Sequence, residues 1–130
     1  MVIAVDFDGT CVEHKYPEVG GDVIGAEATL KDLVARGDQL ILWTMRSGPA
    51  LEDAVNWFND RGIPLWGINT NRDQAEWTES PKAYAHLYID DAAFGAPLDS
   101  YVKIEADGNH QVLGRPWLNW AKVREVLFND

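Results

Sequence analysis

An apolar run that ends abruptly in acidic residues constrains the fold of this chain more than any other feature. Residues Val2–Val5 are all apolar and show no polar alternation, which is typical of a parallel strand covered on both faces. The next residues, DFDGT at 6–10, place two carboxylates and a glycine turn directly after that strand. Because buried charges are costly without a partner, acids at this position predict a functional site.

Alternating strand and helix patterns continue through the first two thirds of the chain. Apolar runs predict further strands at 39–43, 64–68 and 86–89, and helical periodicity predicts helices at 23–36 and 49–61. Glycines follow both helical segments, where helices commonly end. This alternation predicts a parallel sheet with helices on both faces, in which ligands bind beyond the carboxyl ends of the strands.

The last third of the chain has a different pattern. Segments 101–106 and 111–113 flank Asp107-Gly108-Asn109, which indicates a hairpin, and Pro116 is suited to open a helix that runs to about residue 128. Repeats and low-complexity linkers are absent. We therefore predict one domain over residues 1–130: an α/β, three-layer α/β/α Rossmann-like fold with a mainly parallel sheet, followed by a hairpin and helix.

Charge and cysteine content narrow the partners and the compartment. Eleven Lys and Arg against 21 Asp and Glu give a net charge of −10, which disfavours broad nucleic-acid binding and anionic membranes but not a small phosphorylated substrate. Cys11 is the single cysteine, so no internal disulfide can form. The sequence shows neither a signal peptide nor an apolar stretch of the roughly 20 residues that span a membrane. We predict a cytoplasmic protein.

Polar residues follow the ends of several predicted strands. They supply carboxylates, a hydroxyl and an ammonium group: Asp6, Asp8, Thr44, Lys82, Asp90 and Asp91. Converging carboxylates repel one another unless a cation neutralises them, and an all-oxygen site without His or Cys suits Mg²⁺. Acids for a metal, together with hydroxyl, ammonium and backbone amides for phosphate, are the groups that phosphoryl transfer requires.

In chain order, these motifs resemble those of a known family. DFDGT at 6–10, a strand ending at Thr44, Lys82, and IDD at 89–91 are similar to the four motifs of the haloacid dehalogenase superfamily of phosphohydrolases. The resemblance covers residues 2 to about 95. It implies a Rossmann-like domain with Mg²⁺-dependent phosphatase activity.

The resemblance also implies a role for each motif residue. Asp6 would be the nucleophile that forms an aspartyl-phosphate, and Asp8 would be the general acid and then the general base. Thr44 and Lys82 would hold phosphate oxygens. In this family the second aspartate of the first motif marks phosphatases and phosphomutases, so Asp8 favours a phosphatase.

The implied metal site uses acids from two strand ends. Asp90 and Asp91 would bind Mg²⁺ together with the Asp6 carboxylate and the backbone carbonyl of Asp8, and Asp90 lies nearer the end of its strand. A further set is predicted to bind substrate or phosphate: Phe7, Gly9, Met45 and Arg46. For Arg46 a surface ion pair is an equally good interpretation, since such pairs are common.

The chain departs from the family pattern in two ways that bear on which substrate it would accept. The intervals between motifs are too short for the usual cap domain, which predicts an open site, with segment 11–21 as a small flap or a second copy of the chain as a lid. His14, Lys15 and Tyr16 would lie near the entrance. Thr44-x-Arg46 is similar to the phosphatase domain of polynucleotide kinase-phosphatases, but the acidic charge disfavours a polynucleotide ligand.

Two other classes of function remain as alternatives. A response-regulator receiver also uses acids, a Thr and a Lys around Mg²⁺, but it places the acceptor Asp after its third strand, where this chain has Ile68-Asn69. A regulatory phosphate-binding protein without useful turnover is the second alternative. A burst of phosphorylation without turnover would distinguish it from a phosphatase.

Overall fold

A computed structural model describes residues 1–129 as a mixed α/β protein. The elements in chain order are β1 (Val2–Val5), α1 (Ala26–Ala35), β2 (Gln39–Leu42), α2 (Gly48–Asp60), β3 (Gly67–Ile68), β4 (Leu87–Ile89), β5 (Leu98–Ile104), β6 (His110–Leu118) and α3 (Trp120–Leu127). A 3-10 turn covers Gln74–Glu76. Among residues 1–129, no helix has both the length and the apolar character that crossing a membrane requires.

The four N-terminal strands form one parallel sheet. Their order is β3-β2-β1-β4, so β1 is central and pairs with β2 on one side and β4 on the other. Strands β5 and β6 form a separate antiparallel pair. The predicted α/β class and the mainly parallel sheet are confirmed. Because all four strands of the main sheet run the same way, their carboxyl ends meet at one edge.

One face of the sheet carries the main hydrophobic core. Ile3 and Val5 of β1 point to this face and are fully or almost fully buried, in one cluster with Leu33 of α1, Phe58 of α2 and Trp120 of α3. Glycines end the two crossover helices close to where the sequence predicts, with Gly37 and Gly62 at positive φ. All three helices therefore pack on the same side of the sheet.

The prediction of a second helical layer, on the opposite face of the sheet, was wrong. Val2, Ala4 and Ile41 point to this face and form a smaller cluster with Ala83 and Ala85. The covering segment is the connection from β3 back across the sheet to β4, and within it the structure describes only the 3-10 turn as helical. Small side chains let this irregular chain lie close to the strands. An α-helix is not needed to cover so short a face.

The C-terminal helix begins later than the sequence predicts. Pro116 belongs to β6 and lies in a bulge, since the pairing moves from Asp99–Trp117 directly to Tyr101–Leu113. A proline cannot donate to a strand ladder, so a bulge accommodates it. Helix α3 begins after Asn119, whose side chain accepts a hydrogen bond from the Lys122 amide. The prediction of a helix opening at Pro116 was therefore wrong.

The C-terminal elements close onto the loop that follows β1. The Leu118 amide donates to the Gly9 carbonyl at 2.8 Å. The Trp120 indole donates to the Thr10 carbonyl at 2.7 Å, and both of those residues are buried. The DFDGT segment is thus held by the end of the chain as well as by its own strand, a contact that the sequence pattern does not predict.

Candidate active site

The carboxyl ends of the strands surround a cavity of about 370 Å³. The lining residues follow β1, β2, β3 and β4 or lie in the loop before β4: Asp6, Trp43, Thr44, Met45, Asn69, Pro81 and Asp90. Four predicted site residues, Asp6, Thr44, Met45 and Asp90, therefore face one space, although they come from distant parts of the sequence. The position at the strand ends is the one that the parallel topology predicts.

Two of the lining acids, Asp6 and Asp90, form a cluster with a third carboxylate, that of Asp91. Asp6, Asp90 and Asp91 each offer an oxygen within 4.8 Å of the others. Burial, a hydrogen bond with Asp91 and the charge of Asp90 together raise the pKa of Asp6 to about 8. Burial also raises the pKa of Asp90. Such a cluster disfavours its own ionisation, and its all-oxygen donors fit a hard divalent cation such as Mg²⁺.

The Thr10 side chain forms hydrogen bonds with two of these acidic residues. Its hydroxyl donates to Asp6 Oδ2 at 2.9 Å and accepts from the Asp91 amide at 3.2 Å, and the residue is fully buried. The hydroxyl therefore joins the end of β1 to the end of β4. The sequence analysis assigned no role to Thr10, and its place as the last residue of DFDGT is the signal that could have found it.

The Asp8 carboxylate is paired with Arg46 and is not part of the acid cluster. Arg46 Nη2 lies 2.7 Å from Asp8 Oδ1, and Arg46 Nε lies 2.8 Å from Asp8 Oδ2. The remaining donors of Arg46 reach three backbone carbonyls, those of Pro17, Glu18 and Ala50. Arg46 is only 2% exposed. The structure does not support the prediction that Arg46 binds phosphate, because its donors are already used within the protein.

The backbone amides near the cavity divide into free and engaged groups. Within residues 1–129, the amides of Phe7 and Met45 make no hydrogen bond, so both can donate to an anion. The Gly9 amide instead donates to the Val12 carbonyl at 2.7 Å, which corrects the prediction that it points at an anion. The Asp8 carbonyl accepts no hydrogen bond from the described residues and is available to a cation.

Thr44 is fixed on both sides. Its amide donates to Asn69 Oδ1 at 2.8 Å, and its hydroxyl oxygen accepts from the Arg46 amide at 3.1 Å. The hydroxyl proton is left for another acceptor, as phosphate binding requires. Asn69 has a φ of +54°, a conformation that asparagine tolerates better than most residues. The sequence analysis assigned Asn69 no part in positioning Thr44.

Lys82 does not contact the acid cluster. Its ammonium lies 5.5 Å from the centre of the Tyr88 ring, and within the described residues it forms no ion pair. Its backbone is nonetheless held, because Gln74 Nε2 donates to the carbonyls of Ser80 and Lys82 at 3.0 and 2.8 Å. Lys82 is predicted to hold a phosphate oxygen, but it does not line the cavity, whereas the neighbouring Pro81 does.

The predicted flap packs against the site. His14 Nε2 lies 2.8 Å from Asp91 Oδ2, and the Tyr16 ring lies 5.2 Å from the Arg46 guanidinium carbon. Spacing in the sequence gave no reason to assign His14 a role, and only the folded loop places it beside Asp91. Cys11 in the same segment is fully buried, and burial raises the pKa of its thiol. Its side chain belongs to the main hydrophobic core.

The side chains around Gly9 leave no space for a Cβ atom at this position. A Cβ at this position would lie 2.1 Å from His14 Nε2 and 2.3 Å from Asp91 Oδ2, and φ is +83°. We expect Gly9→Ala to lower the free energy of unfolding by about 1–3 kcal/mol, measured by urea denaturation, and to weaken divalent-cation binding.

Gly108 offers a matched control for this substitution. It has a φ of +88°, but nothing lies within 4 Å of its Cβ position. Gly108→Ala should therefore show only the backbone cost, roughly 1 kcal/mol. If both variants lost the same free energy of unfolding and Gly9→Ala bound the cation as wild type does, crowding at Gly9 would not be the cause.

These features define the class of the protein: an α/β protein with a parallel sheet and a carboxylate-rich candidate metal site at its carboxyl edge. A solved structure of a conserved protein from Bacteroides thetaiotaomicron is similar, with 34% sequence identity, a TM-score of 0.76, and coverage of 99% of this chain and 90% of that one. The chain belongs to the same family as that Bacteroides protein. No family model and no curated protein matches the chain.

Proposed function

We propose that this protein is a Mg²⁺-dependent phosphatase of the haloacid dehalogenase type, which hydrolyses a phosphate monoester through an aspartyl-phosphate. One observation carries the proposal: Asp6 lines the cavity and also belongs to the cluster with Asp90 and Asp91. Asp8 lies two residues away but is held apart from that cluster. Two carboxylates in different surroundings are suited to two different roles.

The reaction would take place in two steps, transfer of the phosphoryl group to Asp6 and its hydrolysis. In the first, an Asp6 oxygen attacks phosphorus, the bond from phosphorus to the leaving oxygen breaks, and Asp8 gives its proton to that oxygen. In the second, water attacks phosphorus, Asp8 takes a proton from the water, and the bond between Asp6 and phosphorus breaks. Phosphate leaves, and both aspartates return to their starting states.

The residues around the cavity would bind the two charged partners of this reaction. The carboxylates of Asp6, Asp90 and Asp91 would hold Mg²⁺ with the Asp8 carbonyl. Bound there, the cation supplies positive charge that offsets the carboxylates and the phosphate oxygens. The Thr44 hydroxyl and the free amides of Phe7 and Met45 would hold phosphate oxygens. Lys82 would have to leave the Tyr88 ring to join them.

A small phosphorylated molecule fits this site better than a nucleic acid. The cavity opens beside Trp43 and Met45, and Met45 is 99% exposed, so a leaving group would meet apolar surface at the entrance. The net charge of −10 opposes a polynucleotide. A free and buried Cys11 fits the reducing cytoplasm, which we propose as its location. We also propose that a second copy of the chain covers the open site as a lid.

A panel of phosphate monoesters, assayed with Mg²⁺ and with EDTA, tests the proposal. We expect hydrolysis in Mg²⁺ only, and transient labelling of the wild type by substrate labelled in its phosphoryl group. Labelling without turnover would instead support the regulatory phosphate-binding alternative. The receiver alternative is disfavoured because Asn69, and not an acid, follows β3. The absence of both turnover and labelling would contradict the proposal.

A further inference from the structure

We propose that Arg46 is a positioning residue that fixes the carboxylate of Asp8, and that it does not bind the substrate phosphate. The inference rests on the proposed function, since it concerns the general acid and base of that reaction. It is carried by the contacts of one buried guanidinium group. These contacts also connect Asp8 to the loop at residues 16–18 and to Ala50 in α2.

Every N–H group of the Arg46 guanidinium donates a hydrogen bond within the protein. Its fork meets both oxygens of Asp8, at 2.7 and 2.8 Å, in the bidentate geometry that arginine forms with carboxylates. The carbonyls of Pro17, Glu18 and Ala50 accept its other N–H groups at 3.0, 2.6 and 3.1 Å. With five donors used, no N–H remains for a phosphate oxygen.

Aromatic rings limit the orientation of the same group. The guanidinium carbon lies 5.1 Å from the centre of the Phe7 ring and 5.2 Å from that of Tyr16. Phe7 is fully buried between the two aspartates in sequence. Rotation of Arg46 toward the cavity would therefore break stacking, ion-pair and backbone contacts together.

A fixed Asp8 has a direct consequence for proton transfer. The Arg46 contacts use one lone pair on each Asp8 oxygen, so the second lone pair of each oxygen is left to face the leaving group or the attacking water. Small errors in the position of a catalytic group reduce the rate strongly, so removal of the fork should slow the proton-transfer step. Lysine should not replace it, because a single ammonium group cannot contact both oxygens in one plane.

Leaving groups of different basicity separate this role from others. We would measure kcat/KM for p-nitrophenyl phosphate, whose leaving group needs little protonation, and for p-nitrobenzyl phosphate, whose alkoxide needs a proton. Arg46→Gln and Asp8→Asn should each lower kcat/KM for the benzyl ester by about 10²-fold or more, and for the phenyl ester by less than about 10-fold. Arg46→Lys should resemble Arg46→Gln.

Arg61→Gln is the control for the loss of an arginine–carboxylate fork outside the candidate site. Arg61 also contacts both oxygens of one carboxylate, that of Asp22, and lies at the other end of α2. This variant should leave the ratio of the two kcat/KM values unchanged. Near-UV circular dichroism confirms folding, and Arg46→Lys, which keeps the charge, replaces Arg46→Gln if the latter is unfolded. Equal losses on both esters in the folded Arg46 variants would overturn the inference.

Inorganic phosphate binding tests the other half of the inference without turnover. Calorimetric titration of phosphate in Mg²⁺ should give dissociation constants for wild type and Arg46→Gln that agree within about threefold, because a residue without phosphate contact adds no binding free energy. A loss of ten-fold or more would make Arg46 a phosphate ligand and overturn the inference. If wild type hydrolyses neither ester, both the proposed function and the inference about Arg46 are wrong. If wild type is active but the Arg46 variants do not behave as expected, only the inference about Arg46 is wrong.

Discussion

Asp6→Asn is expected to abolish hydrolysis while making the cation-free protein more stable at pH 8. An amide cannot act as the attacking carboxylate, and loss of a nucleophile costs on the order of 10⁴–10⁶ in kcat. No phosphoryl label should remain on this variant. Turnover that survives in pure Asp6→Asn would exclude Asp6 as the nucleophile.

The gain in stability follows from the titration of Asp6. Its pKa is raised from 3.8 to about 8 in the folded protein, so folding disfavours the ionised form. The penalty is absent below about pH 4, grows as the pH rises from 4 to 8, and is constant above that range. Asparagine carries no charge and avoids it. In EDTA, the melting temperature of Asp6→Asn should therefore exceed that of wild type at pH 8 and match it near pH 4.

Asp53→Asn provides the control for this comparison. Asp53 is exposed on α2, outside the acid cluster, and the same change there removes one charge without relieving any burial. Its melting temperature should follow that of wild type at both pH values. A lower melting temperature for Asp6→Asn than for wild type at pH 8 would contradict the account of Asp6 as a destabilising buried charge.

Mg²⁺ is expected to raise the melting temperature of wild type at pH 8 and to restore activity after EDTA treatment. The cation would neutralise three carboxylates whose oxygens lie within 4.8 Å of one another. At about 100 times its dissociation constant, a ligand specific for the folded state adds about 2.7 kcal/mol of stability. Differential scanning calorimetry at several Mg²⁺ concentrations measures the effect.

Loss of a single ligand tests where the cation binds. Asp90→Asn and Asp91→Asn should each weaken Mg²⁺ binding by at least about 10-fold in calorimetric titrations, whereas Asp53→Asn should leave it unchanged. If millimolar Mg²⁺ fails to change the melting temperature of wild type, the acid cluster is not a cation site.

The main sheet and its acidic edge could be predicted because their signals are local. Val2–Val5 is uniformly apolar, so it had to be a covered strand, and right-handed crossover helices force the neighbouring strands to run parallel. Parallel strands bring their carboxyl ends together, which places Asp6 beside Asp90 and Asp91. Residue type and strand order were sufficient for that part of the site.

Other parts depended on contacts that no local pattern encodes. The face covered by Ala83 and Ala85 has no helical periodicity in its covering segment, so a second helical layer was the wrong expectation. Pro116 suits a helix start and a bulge equally well, and only pairing with β5 favours the bulge. Local preference is weak where tertiary contacts supply most of the stability.

The sequence by itself determined which strands form and which acids gather at their ends, because burial and chain direction act on short segments. Only the tertiary structure decided the partners of the charged side chains. The sequence predicts phosphate contacts for both Arg46 and Lys82. In the structure, Arg46 donates to the Glu18 carbonyl, and the Lys82 ammonium lies beside the Tyr88 ring. A long cationic side chain takes its partner from whatever carboxylate, carbonyl or ring the folded chain brings within reach.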